Sequence, residues 1–325
     1  MSWLVTGGAG YIGAHVVRAL ADAGMPPVVI DDLSSGHAEF VPDGIPFVRG
    51  TILDRELLVR AMREHHVEGV IHVAGFKYAG VSVQRPLHTY EQNVEGTRTV
   101  LAAMAEAGVT DIVFSSSAAV FGTPDVPLVT EDLPKRPASP YGESKLIGEW
   151  LLRDQAIATA STDAPLRHTS LRYFNVVGSS DPAVYDSSPH NLFPLVFEAL
   201  LAGKTPKIFG DDYDTPDGTN VRDYVHVGDI AAAHVVAARR LAAGDPIEPA
   251  YNLGSQNGLS VRQIMDAMAR VTGIDFTPEI APRRPGDPDR IVATGELAAR
   301  DLDWANRYTV DEMVRSGWEA RRNAG

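Results

Sequence analysis

The chain has 325 residues, 44% of them hydrophobic, and a formal charge of −13 from 29 Lys and Arg against 42 Asp and Glu. It contains no cysteine, which excludes disulfides, thiolate catalysis and cysteine-held metals. The length allows one large α/β unit with an appendage, or two units sharing a cleft, and the acidic balance argues against nucleic acid or an anionic membrane as partner.

The opening stretch MSWLVTGGAGYIG has no basic segment or cleavage site and runs straight into an apolar strand. No secretory signal is read there, and a cytoplasmic protein is expected. No run approaches the roughly 18 apolar residues of a membrane span. Short β-branched runs at 3–5, 28–30, 70–73, 112–114 and 169–173 predict buried parallel strands. Segments 12–23, 56–65, 93–107 and 141–157 predict the helices between them; in the third, Val94, Thr97, Leu101, Met104 and Ala105 fall near one face. This alternation predicts an α/β fold with a doubly wound parallel sheet of the Rossmann type over residues 1–175.

Residues 178–191 and 210–220, rich in Gly, Ser, Pro and Asp, read as loops of a ligand-binding region. Residues 221–254 regain strand–helix–strand character and are expected to return to the first sheet. Residues 255–325 predict a smaller α/β lobe with helices at 261–271, 296–301 and 310–321, which joins 176–220 as the ligand-binding part. There is no internal repeat.

The first strand runs into Gly7, Gly10 and Gly13 at G-x-x-G-x-x-G spacing, and a helix follows. Glycines there permit a tight turn, close backbone approach and close helix–sheet packing, and the helix N-terminus offers free N–H groups to a pyrophosphate. A glycine-rich turn is a weak signal alone; the strand before and the helix after sharpen it. Asp31 ends the second strand, 18 residues past Gly13, where a carboxylate accepts from the adenosine ribose. Asp32 follows, and no Arg or Lys lies between Asp31 and His37, so NAD is favoured over NADP.

Tyr141 and Lys145, in SPYGESK, stand four residues apart and share a helix face. An ammonium beside a phenol favours the phenolate and makes the tyrosine a usable base. Upstream, Ser115 and Ser117 close a strand whose C-terminal end borders the ligand crevice. A Tyr-x-x-x-Lys pair is by itself as readily a surface pair; its order behind the glycine loop and the serines gives it meaning. None of the ten histidines falls at H-x-x-x-H spacing, so no metal site is expected.

With VTGGAGYIGAH, VIHVAGFKYAGVSVQRPL, FSSSAAVFG and PYGESK, the chain resembles the extended short-chain dehydrogenase/reductase superfamily. LRYFNVVG, PHNLFP, DGTNVRDYVHVGDIAAAH, YNLGS and PRRPGD narrow the resemblance to its UDP-galactose 4-epimerase family, over nearly the whole chain. The resemblance implies an isomerase that interconverts UDP-glucose and UDP-galactose. The C4 hydride passes to bound NAD, a 4-keto sugar rotates, and the hydride returns. It implies that Tyr11, Ile12, Asp31, Asp32, Leu33, Ser35, Gly36, Thr51, Ile52, Ala74, Gly75, Lys77, Asn93, Ser115 and Phe174 line NAD, with Lys145 on the nicotinamide ribose. Lys77, Ser117, Phe174, Asn175, Asn191 and Leu192 would meet the nucleotide sugar, Ile208 and Phe209 the uracil, and Arg222, Arg284 and Asp287 the diphosphate and uridine. A homodimer through the 93–107 helix or the helix after Tyr141 is implied too.

Three positions depart from the family pattern. Thr51 replaces a common aspartate near the adenine, Val81 a frequent glutamate, and Ile291 stands where the family varies the residue that limits sugar bulk. Epimerases of UDP-N-acetylhexosamine, UDP-glucuronate or UDP-xylose are the nearest alternatives, and a non-catalytic NAD-binding regulator is a more distant one. A 4,6-dehydratase would need an acidic pair where this chain has Ala118 and Ala119.

Overall fold

In the computed structural model, which describes residues 2–284 and 287–324, the β-branched runs pair into one parallel sheet. The strands are β1 Ser2–Thr6, β2 Pro27–Asp31, β3 Phe47–Arg49, β4 Val67–His72, β5 Asp111–Ser117, β6 Arg167–Tyr173, β7 Asn175–Val177, β8 Lys207–Phe209, β9 Val221–Arg222, β10 Tyr224–His226, β11 Ala250–Leu253, β12 Leu259–Ser260, β13 Glu279–Ala281 and β14 Arg290–Ile291. The helices are α1 Tyr11–Asp22, α2 Arg55–Glu64, α3 Ala79–Gln84, α4 Pro86–Tyr90, α5 Gly96–Ala107, α6 Pro140–Thr159, α7 Leu192–Leu201, α8 Val227–Ala243, α9 Val261–Thr272, α10 Glu296–Leu302 and α11 Val310–Asn323.

Seven strands run in the order β11-β6-β5-β4-β1-β2-β3, every neighbouring pair parallel. The chain winds outward from β1 to β3, then crosses back to β4 and winds the other way. The strand order therefore reverses between β1 and β4, and a crevice opens at their C-terminal ends. Side-chain alternation along β1 serves both faces: Trp3 and Val5 pack with α1 and α8, and Leu4 with α2 and α5. A second core, built from Phe193, Phe197, Ile264, Met268, Met313 and Trp318, joins α7, α9 and α11. Through β11, the 221–254 segment reaches the main sheet beside β6.

Some elements escape the periodicity. Strand β3 is a short, partly exposed edge and carries no apolar run. Helix α7 falls between the two loop segments, where no element is expected from the sequence, because Leu192–Leu201 is apolar nearly all round and has no amphipathic stripe. Residues Glu91–Glu95 form a wide π turn before α5, and on α5 Ala105 faces solvent while Thr99 and Val100 are buried.

Four histidines are built in as neutral rings. His234 donates from Nδ1 to the Ile230 carbonyl (2.8 Å) and pairs with Ser115 Oγ (2.9 Å). His15 donates to the Tyr11 carbonyl (2.8 Å) and accepts from Ser180 N (3.1 Å). His72 lies between the Thr6 and Thr97 hydroxyls, and His226 accepts from Gly228 N. Burial lowers their pKa from 6.5 to about 3 for His72 and about 4 for the other three. The folded values lie below the unfolded one, so this stability is complete above the unfolded pKa and is lost as pH falls toward the folded values. For fully buried rings such as His234 that is roughly 3 kcal/mol. The melting temperature, followed by calorimetry, should fall steeply as pH drops from 6.5 to about 4. A flat profile across that window would contradict the neutral assignment.

Candidate active site

The crevice holds a cavity of about 530 Å³. Its floor is the loop after β1. Gly7 adopts φ +72°, and a Cβ there would lie 2.8 Å from the Ala74 backbone; a Cβ at Gly13 would overlap the Gly7 carbonyl. Helix α1 can approach β1 only with glycine at both places. No side chain caps its N-terminus at Gly10 and no acidic residue occupies its first turn, so its N–H groups face the cavity free for an anion.

Asp31 forms the far end. It is 8% exposed, and its carboxylate accepts from Leu33 N (2.8 Å) and Ala9 N (3.0 Å). Burial raises its pKa, and the two N–H donors oppose that. The 31–37 loop is fastened back by His37 N to the Ala9 carbonyl (2.9 Å), and Gly36 packs against Ala9. Asp32, Ser34, Ser35 and Ile52 line the wall, together with Gly10, Tyr11 and Ile12. Leu33, at φ +61°, shapes the turn without lining it. Thr51 faces its own turn, accepting from Leu53 N.

At the other end stand Tyr141 and Lys145. Ser139 caps α6 by accepting from Gly142 N, and Pro140 occupies its first turn. Lys145 is 6% exposed and donates from Nζ to the Ser115 carbonyl at 2.9 Å. Burial lowers its pKa to about 8. The Tyr141 phenol is raised by burial, against the lowering influence of the Ser117 hydroxyl. The four-residue spacing predicts a phenol drawn down by the ammonium; in the structure desolvation wins, because both groups are enclosed and Lys145 is engaged by a carbonyl.

The remaining predicted residues divide. Ala74, Gly75, Lys77 and Asn191 line the cavity. Asn93 does not: it is 4% exposed, bonded to the Phe76 backbone (2.6 and 3.0 Å) and to Ser144 Oγ (2.8 Å). Gln92, one residue earlier, takes the wall position, because the wide turn before α5 rotates Asn93 inward. Phe174 turns away to pack with Val120, Phe121 and Leu146, and Tyr173 lines the cavity instead. Strand parity held that signal, since Tyr173 pairs with Ser117 in register. Asn175 is exposed on β7, and Leu192 packs on the lobe core. Tyr78, Arg85, His88 and Asp186 also line the cavity without any motif to mark them.

A separate cluster lies on β8, β9, Arg284 and residues 287–291. The Arg284 guanidinium stacks 4.0 Å from the Phe209 ring centroid. Arg222 donates to the Pro288 carbonyl (2.8 Å) and lies 3.7 Å from Asp287. Ile208 is 1% exposed and its side chain fills the lobe core, so only its backbone can face a ligand. Ile291 pairs with Arg222 and packs beside Phe174.

Residues 3–254 match the model of the NAD dependent epimerase/dehydratase family. The chain belongs to this family. A UDP-glucose 4-epimerase from Azospirillum brasilense is 45% identical over 97% of the chain and 91% of that protein. The structure of a UDP-glucose-4-epimerase from Stenotrophomonas maltophila, with bound NAD and formylated UDP-arabinopyranose, superposes with a TM-score of 0.93 at 38% identity, covering 100% of this chain and 98% of that one. The UDP-Glc/GlcNAc 4-epimerase of Campylobacter jejuni superposes with a TM-score of 0.85 at 32% identity, covering 99% of both chains.

The cavity fits the cofactor of an NAD dependent epimerase/dehydratase. Its glycine floor has no room for a Cβ, the uncapped α1 N-terminus suits a diphosphate, and Asp31 at the far end suits ribose hydroxyls. Replacing Gly13 with Ala should push α1 off the Gly7 carbonyl and strip NAD from the purified protein. Cofactor content, measured after denaturation, checks this, and a variant that keeps stoichiometric NAD would contradict the packing argument.

Proposed function

We propose that this chain catalyses the NAD-dependent C4 epimerisation of a UDP-hexose, interconverting UDP-glucose and UDP-galactose. The observation that carries the reading is the enclosure of Tyr141 and Lys145, with Ser117 beside the Tyr141 phenol, at one end of a cavity whose other end is the glycine floor and Asp31. The UDP-glucose 4-epimerases that resemble it over almost its full length support the choice of reaction.

When bound, NAD+ would supply a hydride acceptor and donor for C4. Tyr141 takes the proton of the sugar 4-hydroxyl and later gives it back. Lys145, held by the Ser115 carbonyl, orients the nicotinamide ribose and keeps a cation close to the phenol. Ser117 hydrogen-bonds the reacting oxygen. Gly7, Gly10, Tyr11, Ile12, Gly13, Asp31, Asp32, Ser35, Ile52, Ala74, Gly75 and Lys77 hold the dinucleotide, with Gln92 in the place expected of Asn93. Asn191, Phe209, Arg222, Arg284 and Asp287 anchor the UDP group, so the sugar ring is left free to present either face. Arginine forks suit phosphate oxygens and supply the local positive charge that the acidic surface lacks. Ile291, on the strand beside Arg222, sets the room around the sugar.

Replacing Tyr141 with Phe should lower kcat for UDP-galactose by about 10²–10⁴-fold with NAD still bound. A coupled assay for UDP-glucose checks this, and near-normal turnover would remove Tyr141 from the mechanism.

The enzyme acts in the cytoplasm as a homodimer. Support for the dimer comes from the outer face of α6, where Trp150 is 46% and Ile157 70% exposed one heptad apart. Sedimentation of the double variant Trp150→Glu, Ile157→Glu should give a monomer where the parent protein gives a dimer. An unchanged sedimentation coefficient would place the interface elsewhere.

A further inference from the structure

Behind the cavity lies a buried ion pair to which no role in the reaction has been given. Glu149 follows Tyr141 and Lys145 on α6 at the same four-residue interval, so all three share one face. That face meets the last three residues of β5. Tyr141 lies by Ser117, Lys145 Nζ donates to the Ser115 carbonyl at 2.9 Å, and Ser116 Oγ donates to Glu149 Oε1 at 2.6 Å. Arg172 on β6 then grips Glu149 from the next strand with two parallel bonds, Nε to Oε1 at 2.8 Å and Nη2 to Oε2 at 2.6 Å. Both side chains are at least nine-tenths buried. The Arg172 guanidinium also lies 5.3 Å from the Phe121 ring centroid, just past the end of β5.

Close packing cannot by itself set this register. Gly142 and Gly148 let α6 lie almost on the Ala119 carbonyl and the Phe114 ring, which fixes how near the helix comes. Apolar contact is non-directional and leaves sliding and rotation about the helix axis weakly restrained. A bidentate guanidinium–carboxylate pair is directional and restrains both.

We propose that Glu149 and Arg172 are positioning residues for the reaction, locking α6 to β5 and β6 so that the Tyr141 phenol stands at a fixed distance from Ser117 and the Lys145 ammonium at a fixed distance from the Ser115 carbonyl. The inference rests on the proposed C4 epimerisation for the direction of its kinetic effect. The groups facing Tyr141 are Ser117 from β5 and Tyr173 from β6, while Lys145, one turn on along the same helix, is turned to the Ser115 carbonyl. A helix that slips carries the phenol away from the Ser117 hydroxyl, which favours its ionised form, and the phenol then ionises at higher pH.

The test uses NAD-loaded protein carrying Glu149→Gln, which keeps the shape and removes the charge, and Ser116→Ala, which removes one bond and leaves the ion pair. Glu149→Gln should lower kcat for UDP-galactose by roughly 10²-fold, the cost of a misplacement of about 1 Å, with KM and NAD content unchanged. Ser116→Ala should lower it less. The phenolate absorbance of each protein, minus that of the same protein carrying Tyr141→Phe, should titrate at higher pH than in the parent. A merely structural role would lower stability and leave that midpoint in place. If Glu149→Gln does not fold, the midpoint in Ser116→Ala decides. Parental kcat and midpoint in the folded variants would overturn the proposal. The titration needs no sugar, so a parent protein that inverts no UDP-sugar would sink the proposed reaction while the midpoints still judged the positioning role.

Discussion

A parallel sheet whose strand order reverses must leave a gap where the two crossover connections part. Here the gap falls between β1 and β4, and the chemistry of the chain is arranged around it. The glycine floor follows β1, the Ala74-Gly75 wall follows β4, and Tyr141 reaches in from the helix packed behind β5. None of these segments could approach so closely if the backbones were kept apart by side chains. The exclusion of a Cβ at Gly7 and Gly13 is thus a requirement of the site as much as of the fold.

The second constraint is electrostatic. The chain carries a charge of −13, yet it must hold an anionic dinucleotide and an anionic nucleotide sugar. Local positive potential is present at the uncapped start of α1, at Lys77, Arg85 and Lys145 along the cavity, and at Arg222 and Arg284 on the lobe. Enclosure strengthens these fields and also has a cost. It raises the Tyr141 phenol and lowers Lys145 to about 8.

Much of this was legible in the sequence, for reasons that differ by element. Buried strands announce themselves as β-branched runs, and the glycine loop, Asp31, Tyr141 and Lys145 are tied to local geometry that a short motif records. Residues placed by tertiary geometry were harder to read. Gln92 and Asn93 differ by one position on an irregular turn, and only the wide turn decides which faces the cavity. Tyr173 and Phe174 lie on opposite faces of one strand end, and the choice depends on its register with Ser117. The phenol's direction of shift depends on enclosure, which spacing does not report. Helix α7 was hidden by the absence of any polar face.

In the proposed reaction a single enclosed face of the cavity removes hydrogen from C4 and returns it to the same carbon. The direct measurement is proton NMR of UDP-galactose deuterated at C4, incubated with the NAD-loaded protein. The account predicts inversion to UDP-glucose with the deuterium still on C4, because the hydride never leaves the closed site. Inversion with loss of the label to water, or no inversion while NAD remains bound, would contradict it.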